Sequence, residues 1–195
     1  MRIIAGEAGS RKIEAPEGRN TRPTLDRVRE NLFNMLQGRI HGARVLDLFA
    51  GSGAVSFEAL SRGAAFCVLC DHDRKANAVE RKNCTALNMQ SRCEILQMEW
   101  SQAVSRLTAG GDCFDLIYLD PPYEMQDLRG VTEALLPLLA EDGLLMVESE
   151  KDARVQVSEH LSLSKDRRWG IARVSFYMKT EESQKAEAAS GGDAE

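Results

Sequence analysis

Val45-Leu46-Asp47-Leu48-Phe49-Ala50-Gly51-Ser52-Gly53 reads as an apolar strand that runs into a glycine turn. Residues 54 to 62 follow with the spacing of a short amphipathic helix, and Gly63 stands where such a helix stops. Glycines at 51 and 53 let the backbone turn sharply and come close to a ligand. The spacing is not the G-x-G-x-x-G of a dinucleotide site, and nothing in it favours a pyrophosphate. An acid, Asp47, stands before the glycines instead. A carboxylate there repels phosphate and attracts an ammonium. That points to a cofactor with an amino-acid moiety, S-adenosyl-L-methionine, held by Asp47, Phe49, Gly51, Ser52 and Gly53.

Downstream, the same strand-then-acid pattern recurs. Phe66-Cys-Val-Leu-Cys-Asp71 is a second apolar strand, and its acid lies about 20 residues past the glycines, where a carboxylate can take ribose hydroxyls. Cys93-Glu-Ile-Leu-Gln-Met98 is a third, followed by Glu99 as an acceptor for an adenine amino group and Trp100 as a cover for the ring. A lone acid at a strand end is usually a solvated loop residue; three in series predict one crevice lined by Asp47, Asp71 and Glu99.

A fourth apolar run, Phe114 to Leu119, leads into Asp120-Pro121-Pro122-Tyr123. Two prolines forbid helix and supply no N–H, so the strand stops there in a rigid turn. The turn holds the Asp120 carboxylate and the Pro121 carbonyl at a strand's C-terminal end, where open α/β sheets bind ligands. With the ring of Tyr123 beside two acceptors, the motif suits a planar group bearing an NH2, such as a flipped nucleobase. The plainer alternative is a proline turn with a surface tyrosine.

Strand and helix alternate through the rest of the chain. Strands are expected near 45–49, 66–71, 93–98, 114–119, 143–148, 160–165 and 171–178, with helices near 74–88, 100–108 and 127–140. Alternation predicts an α/β fold, a mostly parallel sheet covered by helices on both faces. Residues 166–170 are too few for a crossover helix, so the last two strands should form an antiparallel hairpin. Residues 1–20 carry two short strand-like pieces, 2–5 and 11–15, that read as a hairpin arm. Residues 21–179 form the main domain, opening on a helix with Thr24 as its N-cap.

The chain has 195 residues and a net charge of −5, unevenly spread. Residues 1–44 are basic, and the tail, 180–195, is acidic, lacks apolar periodicity and is expected to be disordered. A basic end on an acidic core suits contact with phosphate at one end, with Arg2, Arg11, Lys12 and Arg19 as candidates, although a solvated edge has the same look. Cys67 and Cys70 lie three apart on a strand and so face opposite sides, as small core residues of a reducing cytosol rather than metal ligands. No apolar N-terminal run or 18-residue apolar span appears, and a cytoplasmic, monomeric protein without metal is expected.

Asp47-Leu-Phe-Ala-Gly-Ser-Gly53 with Asp120-Pro-Pro-Tyr123 resembles the class I methyltransferases that act on exocyclic amino groups. The N-terminal stretches Met1-Arg-Ile-Ile-Ala-Gly6, Gly9-Ser-Arg-Lys-Ile13 and Arg22-Pro-Thr-Leu-Asp-Arg-Val-Arg-Glu-Asn-Leu-Phe33 narrow the resemblance to the RsmD family, as does the aromatic last strand. It extends to about residue 179. It implies a Rossmann-like seven-stranded sheet with a reversed last strand. It also implies methyl transfer to N2 of one guanine of 16S rRNA, guanine 966 in the usual rRNA numbering, within a partly assembled small ribosomal subunit. Asp120, Pro121, Pro122 and Tyr123 become the catalytic group. The family's N-terminal helix closes over the cofactor, which puts Thr24 and Arg27 on the cofactor side. Arg22 is left to the RNA or to an acid in the crevice. Two positions depart from the family pattern: Asp71 stands where Glu is expected and Glu99 where Asp is, each keeping the charge and changing the reach by one methylene. A DNA adenine-N6 methyltransferase, a protein-glutamine methyltransferase and a noncatalytic assembly factor are the rival readings.

Overall fold

The computed structural model describes residues 1–16 and 23–181. Arg19, Arg22 and nearly all of the acidic tail lie outside them. Seven strands form one sheet: β1 (Arg44–Asp47), β2 (Phe66–Asp71), β3 (Cys93–Gln97), β4 (Phe114–Leu119), β5 (Leu139–Glu150), β6 (Leu161–Trp169) and β7 (Ala172–Lys179). Their spatial order is β3-β2-β1-β4-β5-β7-β6. The first five are parallel, and β7 runs antiparallel to both β5 and β6. This is the expected sheet with its reversed last strand.

The apolar runs become strands because both of their faces are covered. Cys67 packs in a core layer with Leu32, Phe33, Phe57 and Leu60, and Cys70 packs in the opposite layer with Leu107, Ile117 and Leu135. The first layer is roofed by α1 (Pro23–Met35), α2 (Ala54–Ser61) and α3 (Arg74–Leu87), the second by α4 (Trp100–Ala109) and α5 (Arg129–Ala134). Helix α1 begins at Pro23, so Thr24 sits inside the first turn rather than capping it; proline is suited to that first position because its missing N–H has no intrahelical partner to lose.

One helix is shorter than its sequence pattern. The apolar stretch to Ala140 predicts helix over 127–140, but α5 stops at Ala134 and Leu136–Leu138 tightens into a 3-10 turn. Pro137 is the cause, since it removes an amide donor and its ring crowds the preceding turn. Strand β5 then begins at Leu139, four residues early.

The N-terminal arm has hairpin connectivity with little regular strand. Arg2 and Lys12 form an antiparallel bridge, and the Ile3 amide donates to the Arg11 carbonyl (2.9 Å). Ile3, Ala8 and Ile13 are buried in the main core. The fold positions the arm through α2. The Glu58 carboxylate accepts from the amides of Ile4 (2.7 Å) and Ala5 (3.1 Å), and Ser61 Oγ accepts from the Ala8 amide (2.9 Å). Gly6, at φ +83°, lies so close to α2 that a Cβ would meet the Ser61 carbonyl at 1.8 Å. Among the described residues, no helix is long and apolar enough to cross a membrane.

Candidate active site

Strand order reverses between β1 and β4, with β2 and β3 on one side and β5 on the other. The connections after β1 and β4 therefore diverge to opposite faces and leave a crevice at their carboxyl ends. The residues at that crevice are Asp47, the last of β1, and Asp120, the first after β4.

Asp47 is 1% exposed. Its Oδ2 accepts from Ser56 Oγ at 3.0 Å, and its Oδ1 is buried without a hydrogen-bond partner among the described residues. Burial, reinforced by the nearby charges of Asp120 and Asp71, raises its pKa to about 7. The turn beyond it is held by Asp71, whose Oδ2 accepts from the Gly51 amide (2.9 Å) and whose Oδ1 accepts from the Asp73 amide (2.9 Å). Gly53 caps α2 at φ +73°, and a Cβ there would meet Phe57 at 2.5 Å and Leu69 at 2.7 Å. A buried carboxyl oxygen without a partner, beside a tight glycine turn, fits an ammonium-bearing cofactor and does not fit a phosphate.

The cleft has an open volume of about 770 Å³. Asp47, Phe49, Ser52, Tyr118, Asp120 and Glu148 line it from the sheet edge, Val28, Arg29 and Leu32 from α1, and Met1 and Ala15 from the arm. Asp71, Glu99 and Trp100 stand at the same sheet edge outside this lining; Glu99 is exposed before α4, and Trp100 is its first residue. Arg27 is exposed, and the arginine at the cleft is Arg29, two residues on.

Sequence reasoning passed over four residues. Arg29 is 5% exposed, paired with Asp26 (2.9 Å) and with Glu58 (3.7 Å), which is fully buried. It reads as a surface helix charge until the arm folds over it. The Tyr118 hydroxyl donates to Glu148 Oε2. Burial and then the charge of Asp120 raise the Glu148 pKa; burial and then Glu148 push the Tyr118 phenol well above its usual range. Glu80, on α3, is fully buried and raised to about 8, first by burial and then by Asp47 and Asp71.

Beside the cleft, the proline turn is closed by the Met125 amide donating to the Pro122 carbonyl (2.8 Å). Pro121 is buried, and Tyr123 is 63% exposed. A smaller cavity, of about 280 Å³ including its mouth, is lined by Pro121, Pro122, Tyr123 and Glu148 with Ala153 and Val155.

The basic candidates divide. Arg2 and Lys12 are exposed on the arm. Arg11 donates to the carbonyls of Ala86 and Leu87 (3.3 Å to the latter), so its charge caps the C-terminal end of α3. That end precedes β3 and lies at the opposite sheet edge from Asp120. A second basic group appears at the active edge. Because β7 runs antiparallel, the β6–β7 turn comes out beside the carboxyl end of β5, and the Lys151 amide donates to the Ile171 carbonyl (2.8 Å). Lys151, Arg154, Arg167 and Arg168 are exposed there, and Ile171 is 66% exposed.

Known proteins fit this arrangement. The family described as "Conserved hypothetical protein 95" matches residues 1–178. The chain is 36% identical over 186 residues to "Ribosomal RNA small subunit methyltransferase D" of Escherichia coli K12, covering 92% of this chain and 90% of that protein. It is 34% identical to the protein of the same name from Haemophilus influenzae, over 91% of this chain and 93% of the relative. Of solved structures, the Escherichia coli protein yhhF, described as a candidate methyltransferase, superposes with a TM-score of 0.78 at 33% identity, over 92% of this chain and 97% of that one. A family match across nearly the whole chain, on a sheet whose switch point carries Asp47 and Asp120, means that this chain belongs to the RsmD family.

Proposed function

We infer that the chain is an S-adenosylmethionine-dependent methyltransferase that modifies N2 of a guanine in 16S ribosomal RNA. The observation that carries this reading is the placement of Asp47 and Asp120 on adjoining strands of one cleft, with the Pro121–Tyr123 turn beside it. Asp47 Oδ1 is the acceptor for the cofactor's ammonium, and the Gly51–Gly53 turn lets the backbone approach it. When bound, S-adenosylmethionine supplies an electrophilic methyl group. Guanine N2 is a poor nucleophile because its lone pair is delocalised into the ring. Asp120 and the Pro121 carbonyl each accept one N–H of the amine, which holds it in place and favours a pyramidal nitrogen. Tyr123 stacks on the base. Orientation of this kind contributes up to roughly 7–11 kcal/mol to lowering a barrier. Transfer of tritiated methyl from S-adenosylmethionine to undermodified small subunits tests the reading. N2-methylguanosine at one position is expected; N6-methyladenosine, or no incorporation despite cofactor binding, rejects the substrate or the enzyme respectively.

The charge of Asp47 makes cofactor binding depend on pH. Its pKa is raised from 3.8 to about 7, so the folded protein holds a proton that the unfolded chain has lost. That contribution favours the fold in full below the unfolded value and disappears as pH rises through the folded one. An ammonium ligand requires the ionised form. Affinity for S-adenosylmethionine should therefore rise from about pH 6 to a maximum between about pH 7 and 8, where the cofactor's own α-ammonium begins to lose its proton, with proton uptake by buffer on the acid side. Calorimetry in two buffers of different ionisation enthalpy measures both. Asp47→Asn should bind more weakly and lose the step; a wild-type affinity flat across this range would remove Asp47 from the ammonium site.

The RNA surface follows from the same edge. Lys151 and Arg154 are chain neighbours of the residues that line the Pro121–Tyr123 cavity, and Arg167 and Arg168 precede the turn that reaches the same edge, whereas Arg11 lies at the far edge. Arg167→Ala with Arg168→Ala should weaken RNA binding and lower the salt slope of log K by roughly 1–2, with the cofactor affinity unchanged. An unaltered slope in a titration from low to high salt would exclude this turn from the interface.

A further inference from the structure

The large cleft and the small cavity share one wall residue among those described, Glu148. Strands β4 and β5 pair in register with Tyr118 opposite Met146 and Leu119 opposite Val147, and one more step along each strand sets Asp120 beside Glu148. The Tyr118 hydroxyl donates to Glu148 Oε2. That bond engages one oxygen of a carboxyl that lines both cavities.

Two adjoining carboxyls are an odd lining for an aromatic base unless the base offers two adjoining donors. The guanine edge does, since N1–H stands directly beside the N2 amine. Adenine offers a donor next to an acceptor, and a carboxylate facing its ring nitrogen is repelled. We propose that Glu148 accepts the N1–H of the target guanine while Asp120 accepts from its N2 amine, so that Glu148 is a specificity-determining residue of this site. The proposal rests on the guanine-N2 reading given above. In the empty site Asp120 and Glu148 repel one another, which costs less once donors from the base and a cationic cofactor stand between them. Burial and then the charge of Asp120 disfavour the ionised Glu148 in the empty site, so it ionises as the base and the cationic cofactor bind and then accepts N1–H. Tyr118 acts through Glu148 as a positioning residue.

2-Aminopurine separates this role from a structural one. It keeps the amine that is methylated but has a bare acceptor at N1. Small-subunit particles carrying guanine or 2-aminopurine at the target position would be assayed for kcat/KM with the wild-type enzyme and with Glu148→Gln. A site built to accept N1–H should prefer guanine by on the order of 100-fold or more. In Glu148→Gln the amide oxygen accepts from Tyr118 and the NH2 faces the base, where it donates to N1 of 2-aminopurine. The preference should fall to about parity or invert, with an absolute gain on 2-aminopurine that no loss of stability can produce. Tyr118→Phe should narrow the preference in the same direction. Equal rates on the two bases with the wild-type enzyme overturn the proposal whatever the variants do, as does a Glu148→Gln protein of unchanged melting temperature that loses both activities in proportion. A wild-type enzyme that binds cofactor and methylates neither base removes the guanine reading first, and the proposal with it.

Discussion

Asp120→Ala should lower kcat by on the order of 10²–10⁴-fold while the affinity for S-adenosylmethionine falls by no more than about threefold. The asymmetry comes from where the side chain stands. Asp120 follows β4 directly, is half-buried, and faces the cleft from the side of the Pro121 turn. In the proposed reading the cofactor's ammonium has its own acceptor in Asp47, one strand away. On the proposed mechanism, removing Asp120 takes away one of the two acceptors for the target amine, and orientation of a weak nucleophile is the main contribution proposed for this site. The loss of a neighbouring negative charge also makes Asp47 easier to ionise, which works against any fall in cofactor affinity. Asp120→Asn is the sharper control, since it keeps the shape but points donors at a donor. It should be nearly as inactive as the alanine variant. Single-turnover methylation and calorimetric cofactor binding read the two effects separately. Loss of cofactor affinity in step with activity would place Asp120 in the cofactor site instead.

The parts of the fold legible in the sequence are those set by local patterns. Phe66–Asp71 and Phe114–Leu119 are strands over the ranges expected, because each is an apolar run bounded by residues that cannot continue it. The two central acids were legible for the same reason, as carboxylates at strand ends beside a glycine turn and a proline turn. What pattern cannot carry is the consequence of long-range folding. Arg29 alternates with Arg27 and Glu30 on an ordinary charged helix, and only the arm closing over α1 buries it. Glu148 is one more acid in Glu148-Ser-Glu150 until the register of β4 and β5 sets it beside Asp120. Arg11 looked like a phosphate contact by charge alone, whereas its position is fixed by the end of a helix 75 residues downstream. The signal for the Arg167–Arg168 turn was available in the sequence. A reversed last strand must bring the preceding turn to the edge where the parallel strands end, which is the active edge.

Glu58→Ala should destabilise the protein by about 3–5 kcal/mol, the usual cost of breaking a buried ion pair from one side. Glu58 is fully buried, yet it is the meeting point of four groups: the amides of Ile4 and Ala5, Arg62 Nε at 2.7 Å, and Arg29 Nε at 3.7 Å. Alanine leaves the 5%-exposed Arg29 with Asp26 as its one remaining carboxylate, beside the Arg2 carbonyl, and leaves two arm amides without their acceptor. For a domain of this size the loss corresponds to a fall in melting temperature of roughly 10 °C or more. The effect should reach the cleft, because the arm that Glu58 anchors supplies Met1 and Ala15 to its wall and lies over α1, which supplies Arg29. Cofactor affinity should therefore fall in Glu58→Ala even at temperatures where the protein remains folded. Glu58→Gln keeps an acceptor oxygen on one side only, turns a donor NH2 toward the groups on the other and loses the charge that balances Arg29, so it should recover a minor part of the stability and little of the arginine's placement. Arg62→Ala is the contrasting variant: Arg62 is more exposed and its ring contact with Phe33 is at 5.1 Å, so its loss should cost about 1 kcal/mol. Urea denaturation of the three variants measures the order. A Glu58→Ala protein as stable as Arg62→Ala would mean that the arm is held by Ile3, Ala8 and Ile13 in the core rather than by the buried carboxylate.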